Sequence, residues 1–300
     1  MAGMKHNSDL RRRRAMRHAG WTFIALIFLW LASPAAAKGY LFIIGGGDLP
    51  DTMMKKFVDL SSGYGSGKIV IFTMASSVPQ ETGPDLVREF KKLGAGSAEF
   101  HHLSRKEALA PESVRLLDGA GGVYFSGGDQ AKHTAVLLDT PLHRRLLELY
   151  GQGAVIGGTS AGAAVMSQVM ITGDERCRPK EGHEFETIET GNVLTSPGLG
   201  FLTEAIIDQH FVRRKRHNRL ISLLGEHPRL LGIGIDESTA ILIEPDQTFE
   251  VMGSGAVLVY DPGQARFEAR ADKTFSAVGI VLHILTAGRR YDLQARRVLN

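Results

Sequence analysis

The sequence predicts an α/β protein built on a doubly wound, mostly parallel β-sheet. Three observations predict it: short apolar runs recur along the chain, amphipathic helical patterns separate them, and glycine turns follow several of the runs. Apolar runs without alternating polar residues are typical of parallel strands covered by helices on both faces. Right-handed crossovers between such strands build an open, doubly wound sheet.

Five apolar segments are predicted to form the parallel strands. They are GYLFIIGGGDLP (39–50), KIVIFTMASS (68–77), the weaker AEFHHLS (98–104), GGVYFSGGDQ (121–130) and GAVIGGTSAG (153–162). The segments PDLVREFKKLG (84–94) and AKHTAVLLDTPLHRRLLELYG (131–151) have the apolar spacing of amphipathic helices. AAVMSQVM (163–170), after the fifth strand, is also predicted to be helical.

The last third of the chain has a different pattern. The segments LGIGIDE, STAILIEP, TFEVMG, GAVLVYDP and FSAVGIVLHIL follow one another with short turns between them. Short connections indicate strands that pair in part antiparallel, and we expect them to extend the same sheet. No internal repeat or linker interrupts residues 38–300, so a single domain is expected.

The first 37 residues have the composition of a secretory signal peptide. RRRR (11–14) precedes the apolar run WTFIALIFLWLA, and Ala35-Ala36-Ala37 supplies an Ala-x-Ala cleavage site. The run is shorter than the roughly 20 residues that span a bilayer. We therefore expect export to the periplasm or the medium, with no stable membrane insertion after cleavage of the leader.

The charge balance excludes nucleic acid as an expected partner. The whole chain has a formal net charge of +3. The leader alone carries six Lys or Arg residues and one Asp, so the rest of the chain has a small negative formal charge. The single cysteine, Cys177, allows no internal disulfide. Neither paired cysteines nor a His-Glu-x-x-His motif is present, so no metal or other cofactor is expected.

The glycine-rich end of the fifth strand contains a Gly-x-Ser-x-Gly motif, Gly158-Thr159-Ser160-Ala161-Gly162. A strand before this motif and a helix after it are the setting of a nucleophile elbow, in which the serine sits on a strained turn. The alternative is a phosphate-binding or structural glycine turn, but no lysine follows the glycines as in a P-loop. The pattern favours Ser160 as a nucleophile.

A serine nucleophile needs a base and a group that orients the base. His210 closes the apolar run IIDQH and is therefore expected at the mouth of a strand. Two carboxylates are candidates for the orienting acid: Glu237, which ends LGIGIDE (231–237), and Glu175, fifteen residues after the serine. Glu237 is preferred because it ends a glycine-rich strand and can reach the same rim, and Glu175 is the alternative, since sequence spacing does not show which carboxylate reaches the imidazole.

An oxyanion hole requires two preorganised N–H donors. The backbone N–H of Ala161, at the start of the predicted helix, is one candidate. Gly128 or Asp129, in the neighbouring GGD turn, is predicted to supply the other.

Four segments resemble motifs of the cyanophycinase and aspartyl dipeptidase family of serine peptidases, peptidase S51. They are FSGGDQ (125–130), GGTSAGAAVMS (157–167), DQHFVRRKRHNRL (208–220) and GIGIDESTAI (232–241), in the same order as in that family. The resemblance implies a fold akin to the flavodoxin-like class I glutamine amidotransferases, with serine where those enzymes have cysteine. It implies Ser160 as nucleophile and His210 as base, and leaves the acid unsettled.

The resemblance also implies the substrate and the residues around it. The expected reaction is hydrolysis of β-Asp-linked peptides, foremost of cyanophycin to β-Asp-Arg dipeptides, by a protein that can form a homodimer. The residues implied to line the substrate site are Gln130, Asp208, Gln209, Arg216 and Arg219.

The basic run RRKRHNR (213–219) places Arg213, Arg216 and Arg219 three residues apart, as on one helix face. Because arginine binds carboxylates bidentately, Arg216 and Arg219 are predicted to bind the free carboxylate of a β-linked aspartyl substrate.

Two features of the sequence depart from the family. Cyanophycinases are commonly cytoplasmic, and the charged segment DERCRPKEGHEFETIET (174–190) matches no family motif, so an exported aspartyl dipeptidase of other specificity remains an alternative.

An esterase of the α/β-hydrolase class is a weaker alternative, because such an esterase would have its histidine nearer the C-terminus. A catalytically silent binding protein on the same fold is the remaining alternative.

Overall fold

Five parallel strands form one side of a nine-stranded sheet in the computed structural model, which describes residues 38–176 and 183–300. They are β1 (Tyr40–Ile44), β2 (Lys68–Phe72), β3 (Ser97–His101), β4 (Ala120–Phe125) and β5 (Val155–Thr159). In space they follow the order β1-β5-β4-β2-β3, with β3 at the edge. The other four strands are largely buried, as expected for apolar runs between two helical layers, whereas β3 is only partly buried. The predicted parallel strands are all present. The predicted leader lies outside the described residues.

Helices cover both faces of this parallel side of the sheet, as predicted for an α/β fold. They are α1 (Asp51–Ser62), α2 (Pro79–Lys92), α3 (Arg105–Leu109), α4 (Gln130–Leu137), α5 (Pro141–Gly151) and α6 (Ala161–Ala164), with a 3₁₀ helix at Pro111–Leu117. Helix α7 (His217–Glu226) packs on other strands. Helices α1 and α2 bury Phe57 and Phe90 against Tyr124 of β4, with ring centroids 5.2–5.5 Å apart. Each such aromatic pair contributes about 0.5–1.5 kcal/mol beyond its buried area.

Four antiparallel strands extend the same sheet beyond β1. They are β10 (Thr239–Ile243), β11 (Thr248–Gly253), β16 (Arg290–Asp292) and β17 (Arg297–Leu299). Strand β10 pairs with β1 in antiparallel register, Leu41 opposite Ile243. The predicted antiparallel extension is therefore present for this part of the C-terminal third.

The other C-terminal strands form a second sheet, which corrects the expectation of a single one. They are β8 (Ala205–Gln209), β9 (Leu231–Ile235), β12 (Val257–Asp261) and β15 (Val281–Leu285), in the order β15-β12-β9-β8. Strands β8 and β9 are parallel, and the other pairs are antiparallel. Glycines at 232 and 234 allow Leu220 and Phe211 to pack directly on β9. Apolar strands of both sheets look alike in sequence, so the division was not predicted.

Two hairpins complete the architecture. They pair β6 (Val169–Glu175) with β7 (Val193–Pro197), and β13 (Arg266–Ala269) with β14 (Phe275–Val278). The prediction of a helix over residues 163–170 is wrong, because α6 ends after four residues and β6 follows. Leu199 and Leu202 donate backbone hydrogen bonds to the carbonyls of Val165 and Met166, which ties this segment to a neighbouring strand-like stretch. Tertiary hydrogen bonding here overrides local helix preference.

Candidate active site

Ser160 sits on a strained turn between β5 and α6. Its backbone has φ 52° and ψ −108°, a conformation that costs a non-glycine residue about 1–3 kcal/mol. The flanking glycines permit the turn: a Cβ at Gly158 would lie 2.6 Å from the Gly162 carbonyl oxygen, and one at Gly162 would lie 2.1 Å from that of Phe125. The Gly-x-Ser-x-Gly motif therefore follows from local sterics, and it projects the serine from the end of the strand.

The side chains of Ser160, His210 and Glu237 form one hydrogen-bonded chain. Ser160 Oγ lies 2.8 Å from Nε2 of His210, and Nδ1 of His210 lies 2.7 Å from Oε1 of Glu237. A carboxylate at Nδ1 favours the tautomer that carries its proton there, which leaves Nε2 to accept the serine proton. The His210 side chain is 10% exposed and that of Glu237 30% exposed. The arrangement suits a serine nucleophile activated by a general base.

The two sheets meet at this site. His210 follows β8 and Glu237 follows β9, and the last residues of these parallel strands, Gln209 and Ile235, are register partners. Because parallel strands end at the same edge, the imidazole and the carboxylate are neighbours. Ser160 comes from the carboxyl end of β5 in the other sheet. The predicted meeting of strand ends is correct, but it joins two sheets instead of one.

Three consecutive backbone carbonyls fix the three segments relative to one another. Ile44 O accepts from Ser160 N at 3.0 Å, Gly45 O accepts from His210 N at 2.8 Å, and Gly46 O accepts from Ser238 N at 2.7 Å. The glycine turn after β1 is thus the common support of the site. The signal in the sequence was three successive glycines, residues 45–47, at the end of a strand, for which no role was predicted.

The three backbone N–H groups predicted for the oxyanion hole differ in whether they already donate a hydrogen bond. Within residues 38–176 and 183–300, the N–H groups of Ala161 and Gly128 have no acceptor. Asp129 is a correction: its N–H donates to the carbonyl of Ala75 at 3.0 Å, and its carboxylate accepts from Ala131 N at the start of α4. Ala161 and Gly128 are the two predicted donors that the structure leaves available.

A cavity of about 320 Å³ opens beside the serine. It is lined by Gly128, Asp129, Gln130, Ser160, Thr172, Gly173, Asp174, Gln209, Arg214, Arg216 and Arg219. The predicted Asp208 is absent from this lining because its side chain is fully buried behind it. Gln130 lines the cavity, but its amide nitrogen donates to the carbonyls of Ile171 and Thr172, at 3.0 and 2.6 Å, and so anchors β6.

The arginines differ from the pattern predicted for one helix face. Helix α7 begins only at His217, so Arg213 and Arg216 precede it. Arg219 binds both carboxylate oxygens of Asp208, with Nε 2.7 Å from Oδ2, and its side chain is 2% exposed. Its guanidinium is therefore already engaged by Asp208, which corrects its predicted role in gripping substrate, although Arg219 does line the cavity as predicted. Arg214, for which no role was predicted, also lines the cavity.

Arg216 remains at the cavity wall. Its Nη1 donates to the backbone carbonyl of Gln209 at 2.7 Å and also to the Gln209 side chain. Burial lowers the pKa of the Arg216 guanidinium to about 10, so it stays charged at neutral pH. Asp208 Oδ1 lies 3.8 Å from Arg216 Nη1, so Asp208 lies within reach of both arginines.

The alternative acid Glu175 does not reach the imidazole. Its carboxylate accepts from the Asn192 side chain at 2.8 Å and from the backbone N–H of Phe185 at 2.9 Å. Of the two carboxylates that sequence spacing left open, the structure brings Glu237 to His210.

Comparison with protein-family models matches residues 41–251 to the model described as Peptidase family S51. The chain belongs to peptidase family S51. The family inferred from the four motifs is confirmed, and this S51 chain is a peptidase.

Sequence relatives of this S51 peptidase are named cyanophycinase. One from Trichormus variabilis is 34% identical, over 90% of this chain and 91% of that protein. One from Synechococcus elongatus is 32% identical, over 87% and 81%. A solved peptidase from an acI-B1 actinobacterium shares the fold, with a TM-score of 0.63 at 24% identity over 86% of this chain and 98% of that one.

Two further properties concern the described part of this S51 peptidase. None of its helices there is both long and apolar enough to cross a membrane. Nor do three or more His, Cys, Asp or Glu side chains of residues 38–176 and 183–300 gather in an arrangement that would hold a metal ion.

The charges around His210 predict the pH dependence of this S51 peptidase. Burial lowers the pKa of His210, Arg214 and Arg216 lower it further, and the hydrogen bond to Glu237 opposes them. Since the base must be neutral, the acid limb of kcat/KM should lie below the ordinary histidine value of about 6.5. Arg214→Gln removes a nearby positive charge, so the pKa should rise and the acid limb should move to higher pH.

The control for this pH profile is Arg88→Gln, which removes an exposed arginine of α2. It should leave the acid limb where it is in the unaltered protein. An acid limb that stays in place or moves to lower pH in Arg214→Gln would contradict the assignment of His210 as the titrating base.

Proposed function

We propose that this peptidase hydrolyses β-Asp-linked peptides, foremost cyanophycin to β-Asp-Arg dipeptides, by a Ser-His-Glu acyl-enzyme mechanism. The observation that carries the proposal is the hydrogen-bonded chain from Ser160 through His210 to Glu237, with 2.8 and 2.7 Å separations. The relatives named cyanophycinase support the choice of substrate.

The mechanism uses each group once in each half-reaction. Ser160 Oγ attacks the amide carbonyl as His210 Nε2 takes its proton, and the imidazolium then protonates the leaving amine. Water, deprotonated by the same imidazole, hydrolyses the acyl-enzyme and regenerates Ser160. Glu237 keeps the imidazole oriented and stabilises its positive charge. Ala161 and Gly128 N–H are the donors proposed for the oxyanion, and removal of one such donor typically costs about 3 kcal/mol.

The cavity contains charges of both signs, which suits a zwitterionic peptide. Arg214 and Arg216 can bind a free carboxylate of a β-Asp-linked peptide. The lining also includes the carboxylates of Asp129 and Asp174, which suit the guanidinium of an arginine in the same substrate. An uncharged ester would offer none of these four side chains an opposite charge.

The test is a comparison of three substrates with purified protein. Cyanophycin should be degraded with release of β-Asp-Arg, identified by its mass, and a soluble β-Asp-Arg peptide with a further residue should also be cleaved. The α-linked peptide of the same composition should be resistant. Release of p-nitrophenol from simple esters without any cleavage of β-aspartyl peptides would refute the proposal and favour an esterase.

Asp174→Asn tests the proposed cation site. Loss of one partly solvated charge contact should raise KM for a β-Asp-Arg peptide by up to about fivefold, with kcat little changed. KM for a β-Asp-Leu peptide should not change. Asp118→Asn, at an exposed position before β4, is the matched control. Equal effects of Asp174→Asn on both peptides would exclude a role for Asp174 in recognising the cation.

Four further expectations stay proposals for this peptidase. They are export by a cleaved leader at residues 1–37, one domain over 38–300, a homodimer, and a fold akin to the class I glutamine amidotransferases. N-terminal sequencing of protein from the periplasm or the medium would test the first: a start at Lys38 supports cleavage after Ala37.

A further inference from the structure

Residues 183–191, most of which belong to the charged segment that matched no family motif, lie against an arginine of the cavity wall. We call residues 183–191 the capping segment. Its Phe185 ring faces the guanidinium of Arg219, with Cζ 5.1 Å from the ring centroid. Phe185 also packs against the apolar cluster between α7 and the second sheet, to which Leu220 and Leu223 belong. The segment therefore covers an arginine that belongs to the cavity lining.

Glu175 and Asn218 hold the phenylalanine in place. The backbone N–H of Phe185 donates to Glu175 Oε2 at 2.9 Å, and its carbonyl accepts from Asn218 Nδ2 at 3.1 Å. Asn192 Nδ2 donates to the other oxygen of Glu175 at 2.8 Å. Phe185 has φ 56°, so its position depends on such contacts. Glu175 is thus used as an anchor for the capping segment.

The far end of the capping segment is also attached to α7. Glu189 N donates to Ser222 Oγ at 3.1 Å, and Gly191 N donates to Glu226 Oε1 at 2.9 Å. In α7, Arg219 lies between Asn218 and Ser222, and both of these residues bond to the capping segment. Contacts along its length therefore hold the segment over this arginine.

The ion pair beneath the capping segment is buried. Asp208 and Arg219 have side chains 0% and 2% exposed, and a buried ion pair is stable only when its geometry is complete. Asp208 immediately precedes Gln209 and His210, and Gln209 holds Arg216. Since Asp208 also lies 3.8 Å from Arg216, opening of the pair with Arg219 would let Asp208 attract Arg216 away from the cavity.

We propose that Glu175 and Phe185 are positioning residues that seal the Asp208–Arg219 pair and so keep Arg216 directed toward the substrate. The inference rests on the proposed function, because it assumes that the cavity binds an anionic peptide. It assigns Glu175 a role in substrate binding instead of a place in the catalytic triad.

The first experiment measures kinetics. Phe185→Ala should raise KM for a β-Asp-Arg peptide by roughly tenfold, the effect of losing a desolvated cation–π contact, with kcat changed much less. Phe185→Tyr, which keeps the ring, should restore KM. Glu175→Ala should raise KM in the same direction, and the double variant Glu175→Ala/Phe185→Ala should be no worse than Phe185→Ala, because both residues act through one contact.

The second experiment needs no substrate. Phenylglyoxal modification, mapped by peptide mass, should spare Arg219 in the unaltered protein and modify the exposed Arg214. In Phe185→Ala, Arg219 should react roughly tenfold faster, since the cover is lost. Arg214 is the internal reference in every sample. Ile188→Ala, in the same segment but 39% exposed, is the matched control and should change neither KM nor Arg219 reactivity.

The two experiments separate the inference from the proposed function. If the unaltered protein cleaves no β-Asp-linked peptide, the proposed function is refuted, and with it the claim about substrate binding. Arg219 reactivity would still decide whether Phe185 seals the pair. Unchanged Arg219 reactivity in Phe185→Ala would overturn the seal. Two results would overturn the positioning role. One is a reactive Arg219 with an unchanged KM. The other is a fall in kcat as large as the rise in KM, with no recovery in Phe185→Tyr.

Discussion

Ser160→Ala is expected to lower kcat for β-aspartyl peptides by about a million-fold, the loss seen when the nucleophile of a serine peptidase is removed. The reason is that no other hydroxyl lines the cavity within reach of the His210 imidazole: among the described residues, Ser160 Oγ alone bonds to Nε2, at 2.8 Å. The measurement is peptide hydrolysis at saturating substrate, with products identified by mass.

Ser276→Ala is the control for the Ser160 variant. Ser276 is an exposed serine of β14, so its replacement should leave kcat unchanged. Residual activity of Ser160→Ala within a hundredfold of the unaltered protein would show that a water-based or metal-based mechanism carries the reaction.

Gly46→Ala is expected to lower kcat by about a hundredfold, because misplacement of a catalytic group by about 1 Å has a cost of this size. A Cβ at Gly46 would lie 2.3 Å from Cε1 and 2.6 Å from Nε2 of His210. The imidazole must therefore move away from Ser160 or from Glu237. The measurement is kcat, together with the melting temperature of the variant.

Gly94→Ala separates this effect from simple backbone strain. Gly94 has φ 102°, close to the φ 105° of Gly46, but a Cβ there meets nothing within 4 Å. Both variants should lose stability through an unfavourable φ, whereas only Gly46→Ala should lose kcat. Similar kcat values in the two variants would refute the role of the glycine turn in placing His210.

Local chemistry made much of this architecture predictable. Short apolar runs located β1, β2, β4 and β5, because parallel strands covered on both faces have little polar alternation. Glycine turns follow β1, β4 and β5. Ser160 was identifiable because its flanking glycines are required by the turn. His210 was identifiable because it closes the run IIDQH at the end of a strand.

The remaining features depend on long-range contacts that no local pattern encodes. Sequence spacing could not choose between Glu175 and Glu237, because the choice follows from β8 and β9 ending side by side in a second sheet. The same limit applies to Arg219, whose regular spacing from Arg216 concealed a buried partner in Asp208. The run after Ala164 has helical composition, but backbone hydrogen bonds to residues 199 and 202 end the helix.

The glycine turn after β1 has a mechanical role. The proposed catalytic side chains belong to two sheets, so their separation depends on the backbone that connects those sheets. Carbonyls 44, 45 and 46 accept hydrogen bonds from Ser160, His210 and Ser238, and so connect all three segments through one rigid piece of backbone. Rigid support of this kind keeps a catalytic constellation within the narrow geometry that proton transfer requires.

The central claim is that His210 activates the Ser160 hydroxyl, and covalent labelling tests it most directly. A fluorophosphonate should form one adduct per chain, mapped by peptide mass to Ser160, with a rate that falls as His210 becomes protonated below pH 6.5. Absence of any adduct at pH 8, or an adduct that persists in Ser160→Ala, would contradict the account.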